Sequence, residues 1–159
     1  MRILRTRHLA AAVVAGSLMA LSSTTVLAAS SAETLALRKA VMDSMAAHFG
    51  ATVAAIKSGD SKRIQAAAKQ AQAINTLSKS IPVVTPQGSG AAAGKSRALA
   101  KIWQDWAGYQ KAAAGLTAES AKLVAVLKTG DAKASMAQFA RTGKMGCGGC
   151  HGTFRAKKK

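Results

Sequence analysis

The stretch Cys147-Gly148-Gly149-Cys150-His151, close to the C-terminus, decides how the rest of the chain is interpreted. Its pattern, Cys-x-x-Cys-His, is typical of covalent attachment of a c-type haem. The two thiols would form thioether bonds to the haem vinyl groups, and the imidazole would be an axial ligand of the iron. Because residues three and four apart lie on one side of a helix, all three side chains can reach the same flat macrocycle. The sequence therefore predicts one haem c, attached through Cys147 and Cys150, with His151 bound to the iron.

Three other interpretations of the two cysteines are weaker. A redox-active pair of the thioredoxin type would follow a strand, and no strand-like alternation precedes this pair. A zinc site needs four ligands, whereas His48 is the only further histidine outside the N-terminal leader described next. A disulfide between cysteines this close would close too small a loop to stabilise the fold much. Haem attachment remains the interpretation that the pattern favours.

The N-terminus has the three parts of a secretory signal peptide. Arg2, Arg5 and Arg7 form a positive region, residues 9–21 are apolar, and small residues lead to a cleavage site after Ala28. The alternative is an uncleaved membrane anchor, but the apolar run is shorter than the ~20 residues that span a bilayer. We therefore expect export to the periplasm, where bacteria attach c-type haem, and no stable membrane insertion after cleavage.

Removal of a signal peptide over residues 1–28 leaves one domain over residues 29–159, which is long enough to bury a core. The chain has 23 lysines and arginines and 6 acidic residues; three arginines lie in the leader, so 20 basic residues remain against 6 acids, a formal charge of +14. Such a charge favours association with acidic partners. Nucleic acid is not expected as a partner, because the chain is predicted to be exported and has no recognised nucleic-acid-binding module.

Apolar residues recur at helical spacing along four segments of the predicted domain. The segments cover residues 32–58, 61–80, 95–128 and 132–156, and residues 82–94, which include both prolines, are predicted to form a loop. Short turns join the first pair and the last pair of segments, which makes the helices of each pair antiparallel. The sequence predicts an all-α fold, an antiparallel four-helix bundle with its haem carried by the fourth helix.

Glycines mark the helix ends and the centre of the fourth segment. Gly59 and Gly130 are expected to end the first and third helices, and Asp60 and Asp131 to cap the helices that follow. The fourth segment has glycine at positions 143, 146, 148 and 149. A flat macrocycle lying against the backbone would explain this density; the alternative is a poorly formed helix.

The domain resembles cytochrome c′ and, more broadly, the class II c-type cytochromes, over almost its whole length. The most specific match is CGGCHGTFR, residues 147–155. Residues 38–50 (RKAVMDSMAAHFG) resemble the first helix of the family, and residues 102–105 (IWQD) and 130–131 (GD) match in place. Members are four-helix bundles with the haem site near the C-terminus, so the resemblance implies this fold and this cofactor.

The resemblance also implies roles for individual residues. His151 would be the proximal ligand of the iron, and Arg155 the arginine that flanks it. Met42 would face the other side of the iron, and Arg38 and Lys39 would approach the haem propionates. A thioether suits haem iron as a ligand, a guanidinium pairs well with carboxylates, and positions 38 and 42 share one helix face.

Met42 divides the functional interpretation in two. The first hypothesis is a periplasmic electron-transfer protein whose haem iron is ligated by His151 and, if it is six-coordinate, also by Met42. The alternative is a five-coordinate cytochrome c′ that binds NO or CO at an open distal site. The sequence leaves this choice open, because methionine occurs here in both kinds of relative. His48 is a further candidate ligand, but a non-ligating histidine is the simpler interpretation.

The expected partners follow from these two hypotheses. An electron-transfer protein needs a redox partner, and the positive charge favours a partner with an acidic surface. A five-coordinate protein would take up NO or CO instead. The family often forms homodimers through the first two helices, so the resemblance adds a homodimer to the expectations. We do not expect an enzyme, because no acid–base pair, no nucleophile with a partner histidine and no phosphate-binding loop can be named.

Overall fold

A computed structural model describes residues 30–157, and the regular structure in this range is helical apart from one isolated bridge between Ala98 and Arg155. The predicted signal peptide, residues 1–28, lies outside the described residues. A 3₁₀ turn covers Ala91–Ala93, and a π-helical segment covers Thr142–Gly148. The α-helices are α1 (Ser31–Lys57), α2 (Ser61–Ala66), α3 (Ala68–Ser78), α4 (Lys101–Gln104), α5 (Trp106–Leu127), α6 (Ala132–Arg141) and α7 (Gly149–Phe154).

These elements combine into the four long helices of an antiparallel bundle, which confirms the predicted fold class. The first bundle helix is α1. The second is α2 with α3, which continue into each other because Ala67 between them is helical (φ −67°, ψ −11°). The third is α4 with α5, which meet at a break at Asp105 (φ −125°, ψ 62°). The fourth is α6, the π segment and α7. None of the described helices is long and apolar enough to span a membrane.

The two short turns of the bundle are built as the sequence predicts. Gly59 and Gly130 have φ of +68° and +74°, a left-handed conformation that favours glycine and ends the helix before it. Asp60 Oδ1 accepts the Arg63 N–H at 2.8 Å, and Asp131 Oδ1 accepts the Ala134 N–H at 2.9 Å. Each aspartate therefore satisfies an N–H group that has no partner inside its own helix.

The core has two parts along the length of the bundle. One part lies beside the two short turns and consists of Ile56, Ile64, Ala67, Ala68, Ala71, Leu123, Val124 and Leu127. The other part, called the first core cluster below, lies towards the C-terminal end of the fourth bundle helix. It consists of Val41, Met45, Ile74, Ile81, Val84, Ile102, Tyr109, Ala113, Leu116 and Phe154.

The connection between the second and third bundle helices is packed and longer than the predicted loop. The third helix begins at Lys101 rather than at the predicted residue 95. Residues just before it pair with the end of the chain instead: Leu99 N–H donates to Phe154 O at 3.0 Å, and Ala156 N–H donates to Arg97 O at 2.8 Å. These hydrogen bonds bring the connection against the fourth bundle helix, next to His151.

Candidate functional site

A cavity of about 280 Å³ lies where α1, α4, α5, α7 and the end of the long connection meet. Of the seven site residues that the sequence predicts, six line this cavity. Cys147 is not part of the cavity wall, but it packs against the first core cluster, as Met42 and Cys150 also do. The wall consists of Leu35, Arg38, Lys39, Met42, Asp43, Lys95, Ser96, Arg97, Ala98, Ile102, Tyr109, Cys150, His151, Phe154 and Arg155.

The two cysteines are half-buried free thiols. Burial raises the pKa of Cys147, and burial together with the neighbouring Cys147 raises the pKa of Cys150 to about 11. Both groups are therefore neutral thiols at pH 7. A redox-active Cys-x-x-Cys pair depends on a lowered thiol pKa, so the raised pKa values of Cys147 and Cys150 do not favour that interpretation. Among residues 30–157, no group of three or more His, Cys, Asp or Glu side chains is placed to hold a metal ion.

His151 lies in the cavity wall in the state that metal ligation requires. Burial lowers the pKa of its imidazole, and the positive charges of Arg155 and Arg97 lower it further. The neutral ring, with a free nitrogen lone pair, is the form that binds iron. The alternative ligand, His48, lies outside the cavity, with Nδ1 2.6 Å from Gln70 Oε1.

Arg38 is a buried cation in the cavity wall. Its Nη1 donates to Ser89 Oγ at 2.8 Å, and its Nη2 donates to Ser89 O at 2.6 Å and to Ser96 Oγ at 3.4 Å. Burial lowers the pKa of the guanidinium. Both ion pairs found in residues 30–157 belong to Glu119, so Arg38 has no carboxylate partner in this part of the chain. A buried cation without a counter-ion fits an anionic group bound in the cavity.

The cavity contains residues that the sequence did not reveal as part of the site. Tyr109 looked like a core residue, and it is buried, but it also forms cavity wall. Its hydroxyl lies 3.0 Å from Thr85 Oγ1, and its ring meets Phe154 edge-on at 5.4 Å between centroids. Burial raises the pKa of the phenol. Lys95 and Arg97 also line the cavity, because the pairing with the chain end brings the long connection to it.

Two glycines of the fourth bundle helix, Gly143 and Gly146, lie against neighbouring bundle helices. A Cβ on Gly146 would lie 2.8 Å from Leu116 Cδ1 and 3.2 Å from Leu116 Cα, and a Cβ on Gly143 would lie 3.3 Å from the Phe49 ring. These two glycines therefore allow close approach of neighbouring bundle helices, and close approach of a macrocycle to the glycine-rich segment stays a prediction. A Cβ on Gly149, inside the Cys-x-x-Cys-His motif, would meet nothing within 4 Å.

The side chains of this region fit a covalently held haem. Two thiols follow the required spacing, a neutral imidazole and the Met42 thioether share one cavity, and the unpaired guanidinium of Arg38 suits a propionate. The apolar part of the wall, with Leu35, Ile102 and Phe154, suits the porphyrin ring.

Comparisons with known proteins agree with the geometry. The family model described as Cytochrome C′ matches residues 33–155 of the chain. A cytochrome c′ from Pararhodospirillum photometricum is 34% identical over 118 residues, which cover 74% of this chain and 92% of that protein. The crystal structure of cytochrome c′ from Rubrivivax gelatinosus superposes with a TM-score of 0.67 and 29% identity, covering 79% of this chain and 97% of the other. The nitric oxide complex of a mutant cytochrome c prime from Alcaligenes xylosoxidans gives a TM-score of 0.69 and 25% identity, covering 82% and 99%.

Proposed function

The chain belongs to the cytochrome c′ family and holds one haem c covalently, and on that basis we propose that it is a periplasmic protein that binds NO or CO at the distal side of its haem. The haem supplies an iron with one position for such a ligand. The proposal is supported by the family and by the nitric oxide complex of the relative from Alcaligenes xylosoxidans. In this proposal Cys147 and Cys150 hold the haem, and His151 is its proximal ligand.

The position of Met42 is the observation that carries the proposal. Met42 is half-buried, packs against the first core cluster and shares one cavity wall with His151. Leu35 and Ile102, both buried, add apolar surface to the same wall, which also contains Arg38 and Asp43 from the helix of Met42. An apolar cover excludes water and charged ligands, because these would lose hydration without gaining hydrogen bonds. Small uncharged diatomic molecules do not incur this cost, so an apolar cover by Met42 over the iron would favour them.

Electron transfer to a partner protein is the second candidate, and the charge around the cavity favours it. The haem propionates would offset two of the positive charges, and the remaining cations would attract an acidic surface. The charged residues of the wall are five cations, Arg38, Lys39, Lys95, Arg97 and Arg155, and one acid, Asp43.

The proposal includes no enzymatic turnover. A homodimer through the first two bundle helices stays a prediction. The exposed face of α1 carries Leu37, which is 55% exposed. Contact with a second copy would bury this side chain.

The spectrum of the purified haem-loaded protein tests the proposal. We expect a high-spin iron in both oxidation states and rapid uptake of CO by the reduced protein. Met42→Leu removes the sulfur with little change in volume, so it should leave the spin state unchanged. Met42→Ala should speed CO association by about tenfold, which corresponds to ~1.4 kcal/mol of steric barrier.

Met136→Leu is the matched control, because Met136 packs against the other part of the core. A low-spin ferric spectrum with a methionine charge-transfer band, lost in Met42→Leu but kept in Met136→Leu, would show that Met42 ligates the iron. That result would replace gas binding by electron transfer as the function.

A further inference from the structure

The fourth bundle helix changes its winding directly before the haem motif. Residues Thr142–Gly148 are π-helical, while α6 before them and α7 after them are α-helical. An α-helix turns about 100° per residue, and a π turn accommodates about one residue more than an α turn. Each extra residue therefore rotates the following side chains by roughly 100° relative to an uninterrupted α-helix. The π segment thus decides which way Cys150 and His151 point.

A buried polar network lies at the point where α6 becomes the π segment. Gln138 Nε2 donates to Glu119 Oε2 at 2.9 Å and to Glu119 O at 3.3 Å. The hydroxyl of Thr142, which is fully buried, donates to Gln138 O at 2.9 Å and lies 3.2 Å from Glu119 O. Two residues of the fourth bundle helix are thereby joined to one residue of α5.

Glu119 is used differently from the other acids in the described part of the chain. Asp60, Asp105 and Asp131 cap helices, and Glu33 completes a capping box with Ser30. Glu119 is buried in the middle of α5, and its side-chain partners other than Lys122 come from the last turns of α6.

The network provides a reason for the change of winding. A threonine hydroxyl that donates to the carbonyl four residues earlier competes with the helical backbone bonds and bends helices. Insertion of a side chain into this ladder is also a recognised cause of kinks. Thr52 and Thr117 make the same kind of bond inside α1 and α5, which stay α-helical, so the bond alone does not change the winding. At Thr142, the first residue of the π segment, the hydroxyl also donates to Glu119 O at 3.2 Å, and this second bond fixes the residue against α5.

We propose that Glu119, Gln138 and Thr142 form a positioning network that sets the start of the π segment and so directs Cys150 and His151 into the cavity. The proposal rests on the haem site of the proposed function, but not on whether the iron binds a gas. The three residues act through the backbone of the π segment, and the side-chain partners found for them among residues 30–157 are one another, Lys122 and Arg141, none of which lines the cavity.

The test compares haem-loaded variants that differ in single polar atoms. Thr142→Val keeps the shape of the side chain and removes its hydroxyl, and Glu119→Gln removes the charge. We expect amide hydrogen exchange over residues 142–148 to rise about tenfold or more, and the iron–histidine stretching frequency to shift. Thr142→Ser restores the hydroxyl and should return both values towards those of the wild type.

Lys122→Gln is the matched control, because Lys122 bonds Glu119 from the solvent side and its side chain is 55% exposed. Wild-type exchange and an unchanged iron–histidine frequency in Thr142→Val and Glu119→Gln would overturn the proposal. Equal changes in Lys122→Gln would also overturn it, since they would show a general loss of stability. Failure of the wild type to take up CO would refute gas binding alone, because amide hydrogen exchange over residues 142–148 does not depend on the coordination of the iron and would still test the network.

Discussion

At the scale of single residues, Arg38 joins the cofactor cavity to the long connection. A guanidinium has five N–H donors, and its contacts with Ser89 and Ser96 use three of them. The other two have no hydrogen-bond partner among residues 30–157, so they would be available to a carboxylate bound in the cavity. Hydrogen bonds to a charged group are roughly twice as strong as neutral ones. Arg38 therefore holds the connection in place through Ser89 and Ser96, and its contact with a haem propionate stays a prediction of the family resemblance.

The two serines around Arg38 should differ in their contribution to stability. Ser89 is fully buried and accepts from Nη1 at 2.8 Å, whereas Ser96 is half-buried and lies 3.4 Å from Nη2. Ser89→Ala leaves a buried charged donor without a partner, so we expect a loss of about 1–3 kcal/mol in the free energy of unfolding. Ser96→Ala should cost less than about 0.5 kcal/mol. Denaturant unfolding of the haem-loaded proteins measures both, and equal losses would contradict this role of Arg38.

At the scale of elements, local sequence patterns predict the bundle better than they predict its irregular parts. Helix ends at Gly59 and Gly130 were predictable, because the required backbone conformation and the capping carboxylate both depend on neighbours in sequence. The π segment was not, since it depends on Thr142 meeting Glu119 across the bundle. The start of the third helix was predicted too early, because Arg97 and Leu99 pair with the chain end, about 60 residues further along.

The candidate site likewise combines residues that the sequence identifies with residues that only tertiary contacts bring to it. A short motif identified Cys147, Cys150 and His151, and the family resemblance added Arg38, Lys39, Met42 and Arg155. Lys95 and Arg97 escaped prediction because only the tertiary pairing of the long connection brings them to the cavity. Tyr109 follows the apolar stripe of its helix. Sequence periodicity does not distinguish a residue that packs in the core from one that also lines a cavity.

The contact between α5 and the π segment depends on the absence of a side chain at Gly146. A Cβ there would lie 2.8 Å from Leu116 Cδ1 and 3.2 Å from its Cα. Since the backbone atom cannot move aside alone, Gly146→Ala should push the two helices apart and cost about 1–3 kcal/mol. Gly115→Ala on α5 is the control, because its Cβ would meet nothing within 4 Å. Alanine is the better helix former, so this variant should gain about 0.5–1 kcal/mol. Thermal unfolding of both variants checks the opposite signs.

At the scale of the whole molecule, the acidic residues are too few to neutralise the charge of the basic residues, and most of them already cap helices or bond other side chains. In the described part of the chain three aspartates cap helices, Glu33 belongs to a capping box, and Glu119 is buried in the positioning network. Asp43 is the acid that lies at the cavity. The positive field therefore extends over the surface and also surrounds the cavity, where a partner would approach the haem.

Binding of an acidic partner should depend on salt and on the cations at the cavity. The charge-reversing pair Lys95→Glu and Arg97→Glu changes two cations of the cavity wall. The control pair, Lys62→Glu and Arg63→Glu, makes the same change in net charge on α2, an exposed helix beside the other part of the core. A glutamate decapeptide serves as the probe, and its dissociation constant is measured by calorimetry at several salt concentrations. Charges more than about 10 Å apart are largely screened at 0.1 M salt. Binding at the cavity mouth would therefore respond mainly to the pair at 95 and 97, whereas attraction by the net charge would respond equally to both pairs.

If the cavity mouth is the docking site, the pair at 95 and 97 should weaken binding at 0.1 M salt by about tenfold, equivalent to ~1.4 kcal/mol. The control pair should change it by less than about threefold under the same conditions. Equal weakening by both pairs would mean that the probe responds to net charge alone. Because net charge would then attract acidic proteins to any face of the molecule, such a result would remove the structural support for electron transfer through the cavity and leave gas binding as the function that the site favours.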